Sequence, residues 1–165
     1  MVWVFMILLI AGECFSQKRY ELNCRKDLVA VSLDSAFCQV GIKEKRNKND
    51  GDVEKYLRIF GLRGGNPYCA AGQYWCFFRA AMDLGISQKE IPLLKSALAF
   101  AMFEDARNRG VRTGYKAETN DLIFWRRKNS ARGHVERIFN VGKFGVVVTI
   151  GFNTVNKVTG EEGVF

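Results

Sequence analysis

Cys69 stands in the segment Gly65-Asn66-Pro67-Tyr68-Cys69-Ala70-Ala71, where a proline-containing turn passes into an apolar, helix-prone stretch. Pro67 disfavours helical geometry at Asn66 and suits the turn that precedes a helix start. A thiol at a helix N-terminus meets the positive end of the helix dipole and backbone N–H groups that lack intrahelical acceptors, and both favour a thiolate. The same N–H groups can hold an oxyanion forming on an attacked carbonyl. The plainer role for a free cysteine is that of a small apolar core residue. Cys76, seven residues on and flanked by Trp75 and Phe78, reads that way.

A nucleophilic thiol needs a proton acceptor, and the chain contains one imidazole, His134. It opens an expected strand after the polar turn Lys128-Asn129-Ser130-Ala131-Arg132-Gly133, and strand ends and turns are where catalytic side chains tend to lie. A lone histidine is otherwise surface decoration or hydrogen-bonded filler. The third requirement is a group that fixes the imidazole tautomer. Asn153, in Gly151-Phe152-Asn153-Thr154, is one candidate, although asparagine there is also an ordinary turn residue. Glu136 is its rival, because on a strand it projects to the same side as His134. Cys69, His134 and Asn153 follow the order of papain-like cysteine peptidases, an order that many unrelated chains share.

Helices and strands must bring these residues together. Val29, Leu33, Ala36, Phe37 and Val40 recur at helical spacing behind a capping Asp27. A short helix is expected after Asp52, with Val53, Tyr56, Leu57 and Phe60 on one face. The third expected helix runs from Cys69 or Ala70 to Leu84. Ser87 and Glu90 have capping-box spacing for a further segment, and a last helix covers Leu98 to Arg109. The period then changes: 121–127 (DLIFWRR), 134–140 (HVERIFN) and 144–150 (FGVVVTI) are short and rich in β-branched and aromatic residues. Helices first and an antiparallel meander second predict an α+β fold with the helices packed on one face of the sheet.

Composition narrows the function classes. The chain has 165 residues, 48% hydrophobic and 25% charged, enough for one domain's core and incompatible with a disordered chain. With two prolines and no low-complexity tract, no interdomain linker is expected, and residues 17–165 read as one domain. Lys+Arg 25 against Asp+Glu 17 gives a net charge of +8 and a pI near 9.4, which favours an anionic partner. No nucleic-acid motif is present, and Trp75, Phe77, Phe78, Phe100 and Phe103 fall at helical core spacings rather than on a stacking platform. The five cysteines contain no C-x2-C pair and have a single histidine for company, so no zinc site, and no cofactor, is expected. Cys24 and Cys38 flank a predicted helix that would hold them about 21 Å apart, too far for a disulfide. Val2 to Gly12 is an apolar run of signal-peptide length, too short to span a bilayer. Residues 1–16 are therefore expected to be a cleaved leader and the protein to be exported, although no basic residue precedes the run and Glu13 sits near the cut.

Read together, several local words resemble the CHAP family, the cysteine, histidine-dependent amidohydrolases/peptidases. They are Asn66-Pro67-Tyr68-Cys69-Ala70-Ala71, Asp121-Leu122-Ile123-Phe124-Trp125, Gly133-His134-Val135 and Gly151-Phe152-Asn153-Thr154, and the segments around Val40–Glu44, Asn49–Gly51 and Val53–Leu57 add to them. The resemblance covers roughly residues 28–165. It implies a papain-like fold, peptidoglycan as substrate, cleavage of a cell-wall amide bond, Cys69 as nucleophile, His134 as base and Asn153 as the polar third member. Three positions depart from the family pattern: Gly72 replaces a large apolar residue, Tyr68 a common tryptophan, and Glu136 a frequent glycine. Two alternatives stand beside this reading, a catalytically weakened wall-binding relative and a papain-like protease acting on proteins.

Overall fold

The computed structural model describes residues 24–109, 116–126 and 133–165, so the expected leader and the basic turn Arg127 to Arg132 lie outside the described residues. The first helix, α1 (Lys26–Phe37), buries Leu28, Ser32 and Ala36, a stripe spaced by four residues. Asp27 sits one residue inside the helix rather than capping it. There it accepts from the Leu28 N–H at 2.8 Å and pairs with Arg25 at 2.6 Å, an acidic side chain in the favourable first turn. A single 3-10 turn, Gly51–Val53, leads into α2 (Glu54–Arg58), which buries Tyr56 and Leu57. The central helix, α3 (Cys69–Asp83), begins at the cysteine, as its sequence predicts. The Ser87 capping signal closes on one 3-10 turn only, Gln88–Glu90, with Ser87 accepting from Lys89 N–H. Pro92 follows at once and forbids a longer helix. The last helix is α4 (Ala99–Asn108).

Four antiparallel strands then form a sheet in the order of the chain: β1 (Leu122–Arg126), β2 (Gly133–Val141), β3 (Val147–Val155) and β4 (Glu162–Val164). The fold is α+β. The third strand starts later than its apolar run suggests, because Lys143–Gly145 make a tight turn with Phe144 at φ 59°, and it continues through Asn153 to Val155. β4 had no counterpart in the sequence pattern, since three residues carry too little alternation to be seen.

The core falls into two clusters with α3 running between them. One joins Leu28, Cys69, Ala70, Tyr74, Phe77, Met102 and Val135; the other joins Tyr56, Leu57, Tyr68, Ala71, Cys76, Ile150, Phe152 and Val164. Consecutive residues 68–71 divide between the two, which wedges the start of α3 in place. Gly72 explains itself here: a Cβ at that position would lie 2.2 Å from a carbon of the Phe152 ring. A large apolar residue at 72 is incompatible with that ring, and glycine is what lets strand and helix meet. Arg137 on β2 is fully buried, donates to Ser32 Oγ, Val29 O and Asn120 Oδ1, and lies 4.9 Å over the Phe77 ring. Burial holds its guanidinium down to about 10. It ties α1 to the sheet and fixes which face of β2 turns inward. By strand alternation, His134 and Glu136 leave the opposite face.

Candidate active site

Cys69 is the first residue of α3 and Tyr68, its N-cap, supplies no side-chain cap. The first intrahelical bond runs from the Gly72 N–H to the Tyr68 carbonyl at 2.8 Å. The N–H groups of Cys69, Ala70 and Ala71 therefore have no acceptor within the helix. The residue is 4% exposed, and its Sγ lies 3.9 Å from the Gly133 carbonyl oxygen. That contact brings the start of α3 against the start of β2, where the next side chain is His134. The imidazole is near enough for Cys69 to count among the groups that favour its protonated form.

Glu136 completes the line. Its Oε1 is 3.1 Å from His134 Nε2, so Nδ1 is the ring nitrogen that Glu136 does not engage. Its Oε2 accepts from Thr149 Oγ1 at 2.5 Å. Space for the carboxylate comes from Gly151, its cross-strand partner on β3, where an added Cβ would lie 2.9 Å from Glu136 Oε1. Trp125, paired with His134 across β1 and β2, sets its ring 5.8 Å from the imidazole. His134, Glu136 and Thr149 thus form one line of polar contacts, and Cys69 lies at its end against the Gly133 carbonyl.

The charges follow from this geometry. Burial is the largest single influence on His134 and disfavours its protonated form. The hydrogen bonds and charges of Cys69 and Glu136 together outweigh it and raise the imidazole from 6.5 to about 9. The bond to His134 is the main reason that the Glu136 carboxyl is held below its ordinary value, with Thr149 adding to it against the cost of burial. With its pKa raised to about 9, the imidazole carries a proton at neutral pH and faces the Glu136 carboxylate, with the Cys69 sulfur at the neighbouring Gly133 carbonyl. That arrangement supports thiolate attack on a carbonyl, followed by proton delivery from the ring.

Asn153 lies elsewhere, and its expected role as orienter of the imidazole is corrected. Its Oδ1 accepts from the Tyr68 N–H at 3.3 Å, and its Nδ2 donates to Asn49 Oδ1 at 2.6 Å and Glu44 Oε1 at 3.4 Å. Glu44 is itself buried and accepts from Tyr68 Oη and the Asn49 N–H. Asn153 has φ 56° at the irregular step of the β3–β4 pairing, and that backbone turn aims its amide at the N-cap of α3. It holds the start of the helix that Cys69 opens from across the fold, and the residue that bonds to His134 is Glu136.

Sequence reasoning brought out Cys69, His134 and Glu136, named Gly151 and Trp125 without a role at the site, and passed over Thr149. Their roles depend on cross-strand register, which only the pairing of β1, β2 and β3 supplies. Phe100 and Phe103, expected in the core, are half-buried and line a pocket beside the site instead. Among the described residues no group of three or more His, Cys, Asp or Glu side chains could hold a metal ion, and no helix is long and apolar enough to cross a membrane. In comparisons with known proteins, no family model, curated protein or solved structure matches the chain.

Proposed function

We propose that the protein is a cysteine amidohydrolase of papain-like design that cleaves amide bonds of peptidoglycan. One observation carries the reading: the thiol at the first residue of a central helix meets the carbonyl of Gly133, the residue before the chain's single imidazole, and that imidazole is held by a carboxylate. The substrate carbonyl would lie over the start of α3 with its oxygen towards the N–H groups of Cys69 and Ala70. The thiolate of Cys69 adds to the carbonyl carbon, and the imidazolium of His134 gives its proton to the leaving amine as the C–N bond breaks. Water, deprotonated by the now neutral ring, then releases the acyl group and restores the thiol pair. Glu136 holds the ring and its positive charge throughout.

The wall as substrate is supported by the resemblance of the local words and by the net charge of +8, which suits an anionic polymer. Glu136, one of the departures from the family pattern, supports catalysis rather than opposing it, because it fills the orienting place that Asn153 leaves. Export with removal of residues 1–16 belongs to the same proposal. Cys69→Ala and His134→Ala should each abolish the release of soluble fragments from purified sacculi while circular dichroism stays that of the parent. Full lysis by either variant would overturn the mechanism, and digestion of casein but not of sacculi would reassign the substrate to proteins.

A further inference from the structure

The turn between β2 and β3 spends an aromatic side chain where the fold has no use for it. Lys143–Gly145 make a single 3-10 turn in which Phe144 stands at φ 59°, a left-handed conformation that disfavours a bulky side chain and that glycine or asparagine adopts more readily. No packing offsets that strain, because the residue is fully exposed. The exposed side chains around it are apolar too. Val146 and Val148 follow in sequence, each more than half exposed, and Phe139, at the irregular step of the β2–β3 pairing, stacks at 5.3 Å on the exposed Phe37 at the end of α1. The register sets Asn140 opposite Val148 and Val141 opposite Val147, so these residues share one end of the sheet. His134 opens β2 at the other end, roughly 20 Å away at the rise of an extended strand.

Charge and shape choose the partner. From Ile138 to Gly160 the chain carries Lys143 and Lys157 but no Asp or Glu, within a protein of net charge +8. Lys143, beside the protruding ring, is exposed and forms no ion pair among the described residues. A projecting aromatic ring with aliphatic neighbours and a free lysine suits the boundary of an anionic bilayer, where apolar groups enter the acyl region and cations stay among the headgroups. A second copy of the chain suits it poorly. Two bodies of +8 repel, and the aromatic opening between α4 and β1 would set Lys143 against Arg126 and a Glu104 already paired with Arg107. A protein partner needs a broad matching face, whereas this surface ends in a single protruding ring.

We infer that the β2–β3 turn is a membrane-docking foot, in which Phe144 and Val146 enter the boundary of an anionic phospholipid bilayer and Lys143 stays at its phosphates. Phe37, Phe139 and Val148 widen the apolar end behind them. Docking of this kind holds the molecule at a lipid surface with the His134 end of the sheet directed away from it, whatever bond that end cleaves.

The test is co-sedimentation of the full chain with vesicles of two compositions, equal parts phosphatidylglycerol and phosphatidylcholine, and phosphatidylcholine alone. The parent should bind the anionic vesicles much more tightly than the neutral ones, and added salt should weaken that binding. Phe144→Asn keeps the left-handed turn and removes the ring, so it should weaken the partition by about tenfold or more. Lys143→Gln should weaken it by about fivefold. All these chains carry the same apolar run Val2 to Gly12, so its own affinity for lipid cancels in the comparison. Phe144→Trp keeps an aromatic ring at the tip and should bind as the parent does, with tryptophan emission that shifts to the blue on anionic vesicles. Equal partition of Phe144→Asn and the parent, or an emission of Phe144→Trp that does not move, would overturn the foot. So would dimers that form without lipid and are lost in Phe144→Asn while vesicles bind nothing, a result that gives the surface to a second copy.

Discussion

Replacing Glu136 by glutamine removes one negative charge while keeping a side chain of nearly the same shape. In the parent, the carboxylate lies 3.1 Å from His134 Nε2 and is four-fifths covered, so its charge is poorly screened. The rise of His134 from 6.5 to about 9 corresponds to a net preference of about 3 kcal/mol for the imidazolium. Cys69 and Glu136 share that preference against the cost of burial. A hydrogen bond to a charged partner contributes about 1.5–3 kcal/mol, so losing the carboxylate should lower the imidazole pKa by roughly 1–2 units. Because His134 is the only histidine, its ring protons give a single unambiguous NMR titration. The alkaline limb of kcat/KM should fall with it, since above the imidazole pKa the proton for the leaving amine is gone. Gly151→Ala, which drives a Cβ to within 2.9 Å of the same carboxylate oxygen, should lower the titration in the same direction. A His134 titration that stays where it is in Glu136→Gln would refute the assignment of Glu136 as the orienting group.

Three further outcomes follow. Gly72→Ala overpacks α3 against Phe152 and should cost about 1–3 kcal/mol of stability, read as a melting temperature lower by roughly 2–4 °C per kcal/mol. Asn153→Gly keeps the positive φ but removes the amide that accepts from Tyr68, so it should destabilise by about 1 kcal/mol, as loss of a helix cap does. His134 should titrate in that variant as it does in the parent; a lowered imidazole pKa there would restore Asn153 to the catalytic line. The His134–Glu136 pair also gives stability a pH window. His134 is raised on folding, so its contribution is complete below about pH 6.5 and is lost as pH climbs through about 9. Glu136 is lowered, so its contribution is present above about pH 4.5 and disappears on acidification through its folded value. Urea midpoints measured from pH 4 to 10 should fall at both ends, and Glu136→Gln should flatten both limbs.

The α+β order was legible because helical spacing ends near Arg109 and strand alternation begins near Asp121. Cys69 could be read from Pro67 and the apolar run behind it, since local chemistry sets a helix start. His134 and Glu136 could be paired because a strand puts residues two apart on one side. The position of Asn153 could not be read in this way. It depends on a left-handed backbone step in β3 and on a partner, Tyr68, that is 85 residues away in sequence. Gly72 and Gly151 look like weak points in a helix and a strand, and only the neighbouring Phe152 ring and Glu136 carboxylate show why nothing larger fits. Phe100 and Phe103 follow core periodicity, yet α4 packs beside β1 in a way that leaves their rings at an opening. The short β4 carries no pattern of its own and is held by Gly41, Ile42 and Glu44 through backbone hydrogen bonds.

The pairing of sulfur and imidazole is tested most directly by alkylation. With iodoacetamide at pH 7 and mass spectrometry of the Cys69 peptide, the exposed Cys38 serves as an internal reference for ordinary thiol reactivity. Cys69, although only 4% exposed, should react faster than Cys38 in the parent and should lose that advantage by tenfold or more in His134→Ala. Equal Cys69 reactivity with and without the imidazole would contradict the pairing on which the catalytic reading rests.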